Sequence, residues 1–340
     1  MLQLSFSCSD AILESDAELD YARYSDLRGS ILNVLMKPEL LDEQRRYVCF
    51  DISKNISISP SEIILETKLA LIMWLNAIED QQHKVLDEIF FEENCDEAQS
   101  QKSLLNIYLD DSPGYLSRLE RDPSLPDFEY PFAACNVTMS RISCQNKPLI
   151  LAIASTFSFI SYTSRDRSWL ELEESAKITI NPHINWLSLY EDLLDQNDQK
   201  LAQEYKELLN AESTSLPILL KLVDSLMEKK YISKLNNGLN DLLKESQLQR
   251  KSFKGRFRQK STLFYTLLHE LGHTIGLQHA DHPISAAVTG NAAGKEFEDS
   301  VFKTKDSVMA YGDPYLYLTD DDIAGVRAVA RNLGASFVTK

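Results

Sequence analysis

The spacing of apolar residues changes period several times along the chain, and each change predicts an element. The run 46–52 (RYVCFDI) is rich in β-branched and aromatic residues and predicts a strand. Ser59, Pro60 and Glu62 then supply an N-cap, a first-turn proline and a capping-box acid. They open a helix predicted over 60–79, with Ile63, Ile64, Thr67, Leu71 and Trp74 near one face. Two further strands are predicted at 85–91 and 104–109, and Asp110 to Gly114 (DDSPG) reads as a turn. A Pro-containing irregular stretch covers 122–148. A strongly apolar strand follows at 149–159, and the alternating run 176–181 is another strand. From about 187 to 250 the character changes: Leu-rich, charged and almost free of Gly, with helices predicted near 189–210, 216–234 and 237–249. This reads as a helical insertion, 187–260, between a strand and the next core helix. Residues 1–44 read as a helical extension and 45–340 as one larger domain. Strands alternating with helices predict a mixed α/β layer architecture.

The chain's 340 residues are enough for a proper core, and its 44% hydrophobic and 25% charged residues are the balance of a globular protein. No apolar run reaches the 18 residues a membrane span needs. The formal net charge of −16 repels phosphate backbones, so nucleic acid is not expected as a partner. One stretch runs against this balance: Arg250, Lys251, Lys254, Arg256, Arg258 and Lys260. It reads first as a solvated loop, second as a substrate exosite near a cleft, and third as a membrane or nucleic-acid site. The N-terminus lacks early cations and a long apolar core, so it makes a poor secretory signal. The expected location is cytoplasmic, or exported by a route that needs no signal peptide. Cys8, Cys49, Cys95, Cys135 and Cys144 are odd in number and show no disulfide framework, so reduced, mostly buried thiols are expected. A Cys135–Cys144 bridge is the alternative for an exported protein.

Residues 269–279 read His-Glu-Leu-Gly-His-Thr-Ile-Gly-Leu-Gln-His, the extended zinc pattern H-E-x-x-H-x-x-G-x-x-H. His269 and His273, four apart, project from one helix face and can reach one Zn²⁺. Glu270 follows the first ligand and can sit beside the metal's open position. Gly276 can take the positive φ that ends the helix, returning His279 as third ligand. Three protein ligands leave one position for water, the arrangement of a catalytic zinc. Ser261 or Thr262 can cap the helix, and Leu263, Phe264, Leu267, Leu268 and Leu271 can bury its other faces. One zinc per chain is expected. His83, His183 and His282 read as ordinary histidines.

With this motif the chain resembles the metzincin clan of zinc metalloproteases, closest to its matrixin and serralysin-like branches. Ser307-Val-Met-Ala-Tyr311 looks like the clan's Met-turn, which implies that Met309 packs beneath the zinc histidines and that Tyr311 lies near the metal. Leu318 to Val326 (LTDDDIAGV) is similar to the matrixin segment opening the C-terminal helix, with Thr319 as N-cap and Asp320 to Asp322 in its positive first turn. Leu151 to Ala154 looks like the edge strand along the matrixin cleft. Ile153 stands where a matrixin has a structural-zinc histidine, so no second zinc is implied. Asp110 and Asp111 could touch calcium, as matrixin loops do, but they read as a plain turn and calcium is not supported. The implied fold is α+β: a metzincin-like catalytic domain with a twisted mixed sheet, active-site helix, Met-turn and C-terminal helix, plus the insertion. The implied activity is hydrolysis of peptide bonds in protein or peptide substrates. Glu270 would be the general base, and Tyr311 would donate to the oxyanion. Substrate would lie extended along the 151–157 strand, with 312–318 walling the pocket for the residue after the cut. The competing reading is a catalytically weak, zinc-stabilised scaffold whose helical insertion docks a partner protein.

Overall fold

The β-rich run at 46–52 forms β1, Tyr47–Ile52, the second strand of a sheet that has five strands among the described residues. The computed structural model describes residues 31–35, 46–52, 56–78, 86–93, 95–96, 99–100, 103–109, 135–138, 141–144, 152–160, 169–180, 184–211, 215–235, 260–277, 307–309 and 313–338. The helices are α1 (Ile31–Leu35), α2 (Pro60–Asn76), α3 (Leu189–Asp195), α4 (Gln199–Asn210), α5 (Leu216–Lys229), α6 (Leu263–Ile275) and α7 (Asp320–Val338). The other strands are β2 (Phe90–Glu93), β3 (Leu105–Leu109), β4 (Cys135–Thr138), β5 (Arg141–Cys144), β6 (Ala152–Ile160), β7 (Trp169–Ile180), β8 (Asn185–Leu187) and β9 (Lys260–Thr262).

The main sheet runs β2-β1-β3-β7-β6. Its first four strands are parallel, and β6 closes one edge antiparallel to β7, with a register shift between Ser155 and Phe157. The protein is thus mixed α/β around a largely parallel sheet. Parallel neighbours need a crossover, and α2 supplies it between β1 and β2. Its start is fixed as its sequence predicts: Ser59 and Glu62 cap each other's backbone N–H. Eleven of its residues are buried, because it is covered by α6 on one side and by α4 and α5 elsewhere.

Several elements differ from their predicted form for local reasons. The strand expected at 85–91 begins only at Phe90; Leu86 and Ile89 are spaced i, i+3 and both turn into the core. The single helix expected over 189–210 breaks into α3 and α4, where Asn197 takes a left-handed φ of 59° and Asp198 caps the next helix through the Leu201 N–H. The helix expected to reach 234 stops at Lys229, with Lys230 left-handed at φ 51°. The stretch expected to be irregular contains the antiparallel pair β4 and β5, whose register sets Cys135 opposite Cys144. The short parallel ribbon β8–β9 was not foreseen; it brings the two ends of the predicted insertion, 187 and 260, side by side. The expected helix at 237–249, the extension before residue 31, His83, His183, His282, Asp110, Asp111 and the cations at 250–258 lie outside the described residues.

The helices α3, α4 and α5, within the stretch expected to be an insertion, share the main core. Leu193, Leu201, Tyr205, Leu222, Val223 and Leu226 are buried in the same apolar cluster as Trp74, Ile107 and Leu268. No helix among the described residues is long and apolar enough to cross a membrane.

The expectation of reduced thiols fails at Cys49 and Cys95, which form a disulfide with Cα atoms 5.7 Å apart. The cause is strand pairing: Cys49 lies opposite Glu92 in the β1–β2 register, so the chain three residues past Glu92 returns to Cys49. The bond spans 46 residues, a loop whose closure entropy in the unfolded chain corresponds to about 4 kcal/mol. The Cys49→Ala, Cys95→Ala double variant should lose roughly 2–4 kcal/mol in urea unfolding. Reductant should lower the wild type by the same amount and leave the variant unchanged.

Candidate metal centre and its supports

The zinc-pattern helix is α6, and all thirteen of its residues are buried. Such burial of a helix with two histidines and a glutamate needs neighbours on every side. On one side α2 packs, and the Trp74 indole N–H donates to the Leu268 carbonyl (2.9 Å). On another side the helix lies against β6 and β7. Gly276, with φ 121°, ends it, and the N–H groups of Gly276 and Leu277 both return to the Gly272 carbonyl.

His269 and His273 face one another edge to face, ring centroids 4.9 Å apart. The Nδ1 of His269 meets the Val308 carbonyl at 2.7 Å, and the Nδ1 of His273 meets the Leu277 carbonyl at 2.8 Å. A carbonyl oxygen can only accept, so each Nδ1 carries a proton, and in the neutral imidazole the lone pair is then at Nε2. Burial and the neighbouring His269 hold the His273 imidazole down to about 3, hence neutral at physiological pH. The two Nε2 atoms lie 3.2 Å apart. Two nitrogens each about 2.0–2.1 Å from one zinc at a near-tetrahedral angle lie roughly 3.1–3.4 Å apart. The donor types, tautomers and spacing of this pair therefore fit one zinc ion. Backbone carbonyls behind metal-ligating histidines are the usual way of fixing their tautomer.

Glu270 is buried beside the pair, and burial pushes its carboxyl up to about 8, opposed by a hydrogen bond from the Ala154 N–H of β6. The glutamate thus touches the antiparallel edge strand. His279 and Tyr311 lie outside the described residues, so the structure brings together His269, His273, Glu270 and Met309 of the predicted site.

Met309 is buried against the middle of α6. A Cβ built on Gly272 would stand 2.3 Å from the Met309 sulfur and 3.0 Å from Trp74 Cζ2. Gly272, between the two histidines, is what lets the methionine approach the helix backbone so closely. The turn that carries Met309 is held from α7. Asp322 accepts from the Ser307 hydroxyl (2.5 Å), the Val308 N–H (3.0 Å), the Thr319 N–H (2.9 Å) and the Thr319 hydroxyl (2.8 Å). Burial raises its carboxyl, and these four donors pull it back toward ionisation. The sequence shows Asp322 as one of three acids favoured by a helix N-terminus. Its inward role at the Met309 turn is missed, although Thr319 three residues before it is the visible signal. Gly272 and Trp74 as supports of α6 are missed too; a small residue between the two histidines is the only local hint.

No protein-family model, no curated protein and no solved structure matches this chain.

Proposed function

We propose that this protein is a zinc-dependent endopeptidase of metzincin type, with His269, His273 and His279 as ligands and Glu270 as general base. The observation that carries the reading is the pair of Nε2 atoms 3.2 Å apart, each imidazole fixed at Nδ1 by a backbone carbonyl. Met309 packed on Gly272 beneath the histidines supports the Met-turn, and the antiparallel edge strand β6 beside Glu270 supports an extended substrate. An edge strand offers unpaired backbone groups to which a peptide can add as a further strand.

Bound zinc would supply Lewis-acid polarisation of the scissile carbonyl and acidify the attacking water. The chain's own residues do the rest. The Glu270 carboxylate accepts the proton of that water and returns it to the leaving amine nitrogen. Tyr311, by the resemblance, donates a hydrogen bond to the developing oxyanion. The Val308 and Leu277 carbonyls hold the Nδ1 protons in place, which leaves Nε2 as the ligand atom of each neutral imidazole. The Cys49–Cys95 disulfide favours the exported of the two expected locations, since such bonds persist in oxidising compartments.

Purified protein should carry one zinc per chain, and His279→Ala should weaken zinc binding strongly while the fold survives. Elemental analysis on unchelated samples checks this. Folded protein with no zinc, or a His279→Ala variant with unchanged affinity, would remove the basis of the proposal.

A further inference from the structure

The start of the zinc helix is tied to the helical insertion by a buried carboxylate that the proposed mechanism does not use. The parallel strands β8 and β9 each feed a helix: β8 leads through Ser188 into α3, and β9 leads through Thr262 into α6. Asp192, one turn into α3, accepts from the hydroxyl of Thr262 and, at 2.6 Å, from that of Ser233. The two hydroxyl oxygens are 2.8 Å apart, and all three residues are buried. Thr262 has the backbone of an N-cap, yet its side chain makes no cap bond to α6. A threonine cap is commonly worth about 1 kcal/mol, and here the hydroxyl is committed to Asp192 instead.

Each partner of Asp192 leads to a different part of the proposed cleft. Thr262 begins the helix that carries His269, Glu270 and His273. Ser233 belongs to a short segment that adds to the stretch beyond Met309: Ser233 N–H donates to the Pro314 carbonyl and Leu316 N–H to the Tyr231 carbonyl, both at 2.9 Å, with Ile232 paired to Tyr315. The element bearing Asp192 is itself fixed. Glu66 of α2 accepts from the Leu189 N–H at the start of α3 (2.6 Å) and from the Tyr205 hydroxyl of α4 (3.2 Å). The same α2 holds α6 through Trp74. Three helices therefore form a closed frame with Asp192 at the corner nearest the zinc helix's first turn.

We propose that Asp192 is a positioning residue of the catalytic centre, setting the seat of α6 against the 314–316 wall and thereby coupling the helical insertion to the geometry of the metal site. The inference rests on the zinc-peptidase reading for its kinetic consequence, but not for its effect on the metal. The Asp192 carboxylate faces the N-terminal end of α6, where negative charge is favoured. Burial raises the Asp192 carboxyl, the Ser233 and Thr262 hydroxyls oppose that rise, and the acidic neighbours Asp195, Glu191 and Glu66 add to it.

The test uses the full chain, Thr262→Val and Asp192→Asn, with Asp192→Ala as the severe variant. Each is loaded with cobalt(II) in place of zinc, and its visible spectrum, metal content and peptide kinetics are recorded. Thr262→Val keeps the volume and loses the hydroxyl, so it folds even where Asp192→Ala does not. It should retain one metal, shift the cobalt bands and lose roughly 10–100-fold in kcat with little change in KM, the range a small misplacement of catalytic groups costs. Asp192→Asn can still bond both hydroxyls, as acceptor at one and donor at the other, and should keep most of the wild-type kcat. A wild-type cobalt spectrum and wild-type kcat in Thr262→Val, with only its melting temperature lowered, would overturn the proposal. Should the wild type cleave no peptide, the peptidase reading fails, and the cobalt bands alone still decide whether Asp192 positions the metal site.

Discussion

Glu270→Gln should lower peptide cleavage by about 10²–10⁴-fold while leaving zinc bound and the fold intact, because one positioned proton acceptor is commonly worth that much. The substitution is nearly isosteric, and the glutamine carbonyl can still accept from the Ala154 N–H that now reaches Glu270. What disappears is the capacity to hold the water's proton. The metal-free protein offers a second readout. Burial raises the Glu270 carboxyl to about 8, above its ordinary 4.5, so the folded state holds that proton more tightly than the unfolded chain. The wild type therefore loses stability as pH rises from about 4.5 through 8, and the glutamine variant does not. In chelated samples Glu270→Gln should melt higher than wild type at pH 8, and the gap should close towards pH 4.5. Kinetics on a fluorogenic peptide, zinc analysis and melts at the two pH values decide it together. Near-normal turnover would overturn the proposed mechanism, and lost zinc would give the glutamate a ligand's role.

Gly272→Ala should destabilise the protein by roughly 2 kcal/mol and weaken zinc binding, against the sign that helix propensity alone predicts. In a free helix interior alanine is favoured over glycine by about 1 kcal/mol. Here the new Cβ would stand 2.3 Å from the Met309 sulfur, 3.1 Å from its methyl carbon and 3.0 Å from Trp74 Cζ2. Trp74 has little freedom to yield, since its indole is held by the Leu268 carbonyl. Met309 must move, and it adjoins Val308, whose carbonyl fixes His269. Overpacking of this kind costs about 1–3 kcal/mol, enough to exceed the propensity gain. Met309→Ala removes the obstacle while leaving a cavity of its own. The double variant should therefore be less destabilised than the sum of the singles, by about 1 kcal/mol or more. Urea unfolding and zinc titration on the four proteins measure it, and strict additivity would mean the contact is not the cause.

What the sequence made legible was local. The four-residue spacing of His269 and His273, the glycine at 276, the Ser59–Glu62 box and the β-rich runs at β1, β3 and β6 all depend on residues a few positions apart. What escaped depends on pairing between distant segments. The Cys49–Cys95 bond follows from the β1–β2 register, which no property of either cysteine reveals. The bond from Trp74 to Leu268 joins residues 194 apart, and that from Thr262 to Asp192 joins residues 70 apart. Thr262 shows the difference within one residue. Its place before an apolar helix predicts a cap, its backbone adopts the cap conformation, and its hydroxyl is drawn away by a carboxylate from another part of the chain. Asn197 was an error of another kind, since an Asn-Asp pair inside a helical pattern is a visible break that the Leu periodicity on either side concealed.

The peptide unit of Val308 has a consequence for the order in which the molecule matures. Its carbonyl fixes His269, and its N–H is fixed by Asp322. A chain emerging from the ribosome makes all the residues of the zinc pattern well before it makes Asp322. Until that aspartate arrives, the turn that selects the histidine's tautomer lacks the carboxylate that holds Ser307 and Val308. A half-synthesised molecule thus holds the pattern without the set tautomer, and the histidine pair takes its final form only once Asp322 has been made.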